Sequence, residues 1–147
     1  MNLSTKGRYG LRAMVELALH YGEGPILLKE IAKRQEISEK YLEQLIIPLK
    51  IASMVKSTRG AHGGYELTVP PEQIKVYEVI QVLEGSLAPV GCIDNPTICP
   101  RSSTCVTRDL WMRMKQSMVK VLNSITLAEL AEQQKSRQRT GNLMYHI

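Results

Sequence analysis

The 147-residue chain reads as mainly α with a small β-wing: a winged helix-turn-helix followed by a long dimerisation helix. Three observations carry this reading. Apolar residues recur at steps of three and four along most of the chain. Between residues 54 and 68, in MVKSTRGAHGGYELT, the period changes to two around a glycine-rich centre. A second apolar seam, from about Thr104 to Ile125, follows a stretch that carries all three cysteines.

The elements follow in order. Ser4 and Thr5 are candidate N-caps for a first helix over 4–21, with Leu11, Met14, Val15, Ala18 and Leu19 at helical spacing. Gly22 and Gly24-Pro25 stop it. A short helix over Leu28 to Arg34 turns Ile31 and Ala32 inward, and Ser38 then caps a third helix with Leu42, Leu45, Ile46 and Leu49 along one side. Two short helices joined by a tight turn make a helix-turn-helix. The period-two segment is a β-hairpin with Arg59-Gly60-Ala61-His62-Gly63 at its tip. Pro70-Pro71 ends the hairpin, and a fourth helix is expected over Glu72 to Glu84, closed by Gly85.

The long helix presents Trp111, Met114, Met118, Val121 or Leu122, and Ile125 as a seam that wants a partner, which makes a homodimer the expected assembly. A short helix to about Gln134 follows, and KSRQRTGN is polar enough to be a loose tail. The expected division is therefore 1–85 as the winged helix-turn-helix, 86–105 as a cysteine loop, 106–134 as dimerisation helices and 135–147 as a C-terminal tail.

Charge and hydropathy narrow the class. The net charge is +5, yet residues 1–75 carry eleven Lys/Arg against eight Asp/Glu, so placement of charge matters more than its size. The start MNLSTKGRYG has no apolar leader, and the most apolar stretch, LIIPLKIASMV, is interrupted by Pro48 and Lys50. A cytoplasmic protein with no membrane partner is expected. No phosphate-cradling loop, carboxylate pair or catalytic triad is present, so no enzyme is expected.

The third helix turns Ser38, Glu39, Lys40, Tyr41, Glu43 and Gln44 away from its apolar stripe. Lys40 suits a phosphate, Gln44 an adenine edge, and Glu43 the amino group of cytosine. A glycine-rich tip approaches a duplex closely, which lets Arg59 enter a minor groove with His62 beside it. The expected DNA-binding residues are thus Ser38, Lys40, Tyr41, Glu43, Gln44, Arg59 and His62, and double-stranded operator DNA is the expected partner.

Cys92, Cys99 and Cys105 fall within fourteen residues, CIDNPTICPRSSTC, and the chain has no other cysteine. An odd number in a reducing compartment argues against a disulfide framework. Pro96 and Pro100 forbid a continuous helix, and a loop lets three soft thiolates converge on a metal or an iron-sulfur cluster. Cys105, at the start of the long helix, gains from unpaired N–H groups there. Reduced structural cysteines and a zinc site are the alternatives from the residues alone, as is a small electron-transfer protein for the chain as a whole.

STKGRYGLRAM at 4–14, SEKYLEQLIIPLK at 38–50 and RGAHGGYEL at 59–67 resemble, in order, the signatures of the Rrf-two family of dimeric winged-helix regulators. The resemblance covers nearly the whole chain. It implies a homodimer paired through the long helix, with two recognition helices and two wings on one side. Two branches compete. An IscR-like branch, which regulates iron-sulfur cluster assembly, holds a two-iron cluster with three loop cysteines and a histidine three residues after the last. That implies Cys92, Cys99 and Cys105 as metal ligands for a 2Fe-2S cluster, with 4Fe-4S as the alternative. Position 108 is arginine here, so the fourth ligand falls to Asp109, Asp94, solvent or a small thiol. A CymR-like branch, which represses cysteine metabolism with cysteine synthase, is closer over HYGEGP, KSTRGAHGGYEL and VLEGSLAPV. The ending Met144-Tyr145-His146-Ile147 resembles peptides ending in Ile that enter the cysteine synthase active site, which would make Ile147 the contact. The full set of loop cysteines favours the cluster-sensing branch.

Overall fold

A computed structural model describes residues 2–145, with side chains to Gly141. Ser4 caps the first helix, α1 (Thr5–Leu19), its Oγ accepting from the Gly7 N–H at 3.2 Å. Ala13, Met14, Leu17 and Ala18 on one side of α1 are buried. Gly10 lies on the same side of α1: a Cβ there would collide with the Leu83 side chain, so α1 and the fourth helix meet where only glycine fits.

The helix-turn-helix forms as expected. α2 (Leu28–Gln35) ends at Glu36, whose left-handed φ of 56° makes the sharp turn. Ser38 then caps α3 (Glu39–Ile51), its Oγ accepting from the Tyr41 N–H at 3.1 Å. Leu42, Leu45, Ile46 and Leu49 are buried on its inner side. The hairpin pairs β1 (Val55–Thr58) with β2 (Gly64–Leu67) antiparallel, Val55 facing Leu67 and Thr58 facing Gly64. Its inner residues Val55 and Leu67 join the core. Ile26 and Tyr65 exchange backbone bonds of 2.9 and 2.8 Å, which fasten the wing to the segment entering α2.

The fourth helix begins later than expected. Pro71–Gln73 form a single 3-10 turn, Ile74 takes an extended φ of −108°, and α4 runs from Val76 to Glu84. The extended break has a tertiary cause. The Ile74 carbonyl accepts from the Leu127 N–H at 2.8 Å and the Val76 N–H donates to the Ile125 carbonyl at 2.9 Å, so this backbone pairs with a distant strand-like segment instead of extending the helix. Val76, Val79, Ile80 and Leu83 are buried as their spacing predicts, and Gly85 (φ 77°) ends the helix.

α5 (Val106–Asn123) follows the cysteine loop and buries no residue. The polar stretch KSRQRTGN is helical: α6 runs from Leu127 to Tyr145, well past Gln134. Lys, Arg and Gln are good helix formers and no proline interrupts them, so polarity removes the reason to bury the helix without removing the reason to form it. α6 packs on α1, and its Leu127 and Ala131 are part of the core. Among the described residues, no helix is long and apolar enough to cross a membrane.

Candidate nucleic-acid interface and cysteine loop

The inner stripe of α3 fixes which side chains face outward. Lys40, Glu43 and Gln44 are exposed, as are Ile47 and Ile51 further along. Ser38 is exposed, and its oxygen accepts from the Tyr41 N–H while its hydroxyl proton remains a donor. Tyr41 differs from its neighbours. It is half-buried, its ring meeting Tyr9 of α1 edge-on at 6.2 Å and 82°. Arg12 lies over the Tyr9 ring, 5.1 Å from its centre, and its Nε donates to the Gln35 Oε1 at 2.8 Å. Tyr9 and Arg12 were not among the expected interface residues; the sequence signal was the KGRYG opening, which the helical period alone does not single out.

Arg59 and His62 stand exposed on the tip that joins β1 to β2. Gly60 has a φ of 109°, and a Cβ at Gly63 would run into the Thr58 carbonyl, so this tip needs glycine at both positions. Lys50, at the end of α3, sits 5.9 Å from the Tyr65 ring centre, on the wing side of the head.

The cysteine loop is built from two 3-10 turns, Gly91–Ile93 and Pro96–Ile98. Cys92, Cys99 and Cys105 are all free and half-buried. Among the described residues, no group of three or more His, Cys, Asp or Glu side chains is arranged to hold a metal ion. Ser102 organises the centre of the loop by donating to the Pro96 and Cys99 carbonyls, at 2.6 and 2.8 Å.

Cys105 is the N-cap of α5. Its Sγ lies 3.2 Å from the Thr107 Oγ1, and this hydroxyl, followed by the Arg108 backbone N–H, holds the thiol below its ordinary pKa. Arg108, where the resemblance would place histidine, sends its Nε to the Cys92 carbonyl at 3.2 Å. Asp94 bonds the Ser86 hydroxyl and meets the Lys115 ammonium at 3.0 Å, and both, the hydroxyl first, keep its carboxyl below the usual range. Asp109 is exposed on the first turn of α5. The loop is thus tied to α5 twice, at Cys92 and at Asp94.

On α5, Arg108, Met112, Lys115, Val119 and Leu122 recur at steps of three and four and are half-buried. The opposite side is bare: Val106, Leu110 and Val121 are 80%, 48% and 57% exposed. Of the expected seam, Trp111, Met114 and Met118 are half-buried and Val121 is exposed. Ile125 lies beyond the end of α5, in the segment that pairs with α4. Leu110 lies about 100° around the helix from Trp111, so the exposed apolar side of α5 is offset from the expected seam.

Comparison with known proteins converges on one group. The family model of Rrf2 (Rrf-two), described as an iron-dependent transcriptional regulator, matches residues 3–133. The chain is 45% identical to Protein rrf2 of Nitratidesulfovibrio vulgaris, with 88% of this chain and 87% of that protein covered. It is 47% identical to the HTH-type transcriptional regulator CymR of Bacillus subtilis, with 89% and 90% covered. The solved structure of T. potens IscR superposes with a TM-score of 0.77 at 47% identity, covering 94% of this chain and 91% of that one. Helix-turn-helix, wing and long C-terminal helices agree with these relatives in sequence and in fold, and the chain belongs to the Rrf2 family of transcriptional regulators.

Proposed function

We propose that this regulator acts as a homodimer, reads operator DNA with α3 and the wing, and senses iron-sulfur status through Cys92, Cys99 and Cys105, thereby controlling genes for iron-sulfur cluster assembly. The observation that carries the reading is the double tie between a three-thiol loop and α5: Arg108 to the Cys92 carbonyl and Lys115 to Asp94. Three half-buried free thiols on one loop, one of them with a lowered pKa, form a donor set that fits soft iron. When bound, a cluster supplies an oxygen- and redox-sensitive inorganic core on those sulfurs. Asp94 is already engaged, so the fourth position falls to the exposed Asp109, to solvent or to a small thiol.

The chain's own residues then carry the loop's state outward. Arg108 and Lys115 hold the loop against α5, Ser86 holds it at the end of α4, and α4 packs on α1 and α3. Pairing of two α5 helices would set the distance between two α3 helices, about one turn of duplex apart on a two-fold operator. A change in loop structure that shifts this spacing needs only ~1–3 kcal/mol of coupling to act as a switch.

Protein purified without oxygen should show visible absorbance with iron and sulfide, and Cys99→Ala should lose both while remaining a folded dimer. Colour that survives this substitution defeats the ligand assignment. For the interface, Arg59→Ala should weaken binding to all DNA and flatten its salt dependence, whereas Gln44→Ala should relax choice at one base position.

The 47% identity to CymR favours a second reading, a repressor of cysteine metabolism acting with cysteine synthase. The proposed contact, Ile147, lies outside the described residues. Capture of cysteine synthase by the full chain, lost on deleting Ile147, would select this reading.

A further inference from the structure

Away from the cysteine loop, a cleft of about 390 Å³ opens between α1, α2 and α6. Its α1 wall carries Arg8, Arg12 and Val15; its α6 wall carries Leu130, Gln134 and Arg137. Two polar residues in it are largely enclosed, Glu16 at 9% and Gln35 at 8% exposure. Glu16 is neutralised within the protein: Arg34 Nη1 reaches its Oε2 at 3.3 Å and Gln35 Nε2 donates to its Oε1 at 3.3 Å. The guanidinium groups of Arg8, Arg12 and Arg137 are then in excess, on opposing walls with apolar surface between them. Arg12, which lines the cleft, bonds Gln35 through Nε alone, so its two terminal NH2 groups have no hydrogen-bond partner among the described residues.

We propose that this cleft is an effector site for a small organic dicarboxylate, one carboxylate held by Arg8 and Arg12 and the other by Arg137. Arginine forks match carboxylates in pairs, and a cleft of this size takes a ligand of that class. Leu130 and Val15 receive the short carbon chain and Gln134 the remaining oxygen bonds. The site reaches the DNA-reading surface through side chains in contact: Arg12 rests on Tyr9, and Tyr9 meets Tyr41 in the first turn of α3. A carboxylate that draws Arg12 toward the cleft alters the support under Tyr41.

The full-length protein is tested with succinate and glutarate against sodium chloride at matched ionic strength, with propionate as the single-carboxylate control. Expected is a saturable rise in Tm with one of the dicarboxylates and not with propionate. Arg137→Ala should weaken binding about tenfold or more, and Arg8→Ala, on the opposite wall, should do likewise. Both residues are exposed, so each variant's unchanged Tm in chloride serves as the check on folding. Operator affinity should shift about fivefold or more when the dicarboxylate is bound. The proposal fails if neither dicarboxylate raises Tm above chloride, or if both variants respond as the parent does. It fails as an effector site if operator affinity is unchanged at saturation. A lower salt dependence of binding to random DNA in Arg137→Ala, with no dicarboxylate effect, would assign these arginines to DNA phosphates instead.

Discussion

The reading head and the α5 segment treat the same apolar residue types in opposite ways. In the head, Met14 of α1, Ile31 of α2 and Leu42 and Leu49 of α3 are fully enclosed, each element covering the next. In α5, eighteen residues bury nothing, and Val106, Leu110 and Val121 stay open to solvent. The two regions also differ in how they are held. Apolar contact defines the head, whereas the cysteine loop is fixed to α5 by a guanidinium on a carbonyl and by one exposed ion pair. A region held by a few polar contacts can be rearranged at low cost, and one held by close packing cannot. That contrast is what the proposed division into a rigid reader and an adjustable cysteine loop requires.

The largest expected effect tests the rigid side. Leu42→Ala should lower unfolding free energy by about 2–5 kcal/mol in denaturant titration, because its neighbours cannot collapse into the space left. A loss under ~1 kcal/mol would show a head looser than its packing. Next comes the open side: if two α5 helices pair as proposed, Leu110→Lys should leave helical circular dichroism intact but weaken self-association by about 2–4 kcal/mol in sedimentation, since a charge would enter the proposed seam. An unchanged dimer would move the pairing surface off this face of α5.

A smaller effect lies where the two regions are alike, at a helix start. Ser38→Ala removes the N-cap of α3 and should cost about 0.5–2 kcal/mol by the same titration. α5 begins instead at Cys105, whose side chain makes no capping bond, so Cys105→Ala should cost less.

The smallest effects are in pH. The Cys105 thiol sits below its ordinary pKa, so in metal-free protein it should be alkylated at lower pH than a cysteine in an unfolded peptide, and Thr107→Val should raise the pH required. Asp94 also titrates low. Its stabilising bonds to Ser86 and Lys115 are therefore complete above the ordinary carboxylate pKa and are lost as pH falls through its lowered native value. Hydrogen-exchange protection in the 86–94 segment, taken relative to the intrinsic rate at each pH, should fall on that acid side and hold above it.

Much of this was legible in the chain itself. Period three-to-four spacing with Ser4, Ser38 and Gly85 at the ends located α1, α3 and the end of α4, since caps and core stripes are local chemistry. The hairpin was legible for a similar reason, its glycines being required by φ and by the Thr58 carbonyl. The outward set of α3 followed directly from its inward one. Tertiary contacts decided the rest. Ile74 and Lys75 stay extended because the Ile74 carbonyl and the Val76 N–H pair with Leu127 and Ile125, far along the chain, and no local signal announces that partner. Tyr41 is tied down by Tyr9, itself covered by Arg12, and only the packing of α1 on α3 brings the two rings within reach. α6 continues through a polar stretch because helix propensity and the α1 surface, not polarity, set its length. Local spacing determines which side of an element is apolar, but the partner that side meets depends on chain segments far away in sequence, and only the folded structure brings those together.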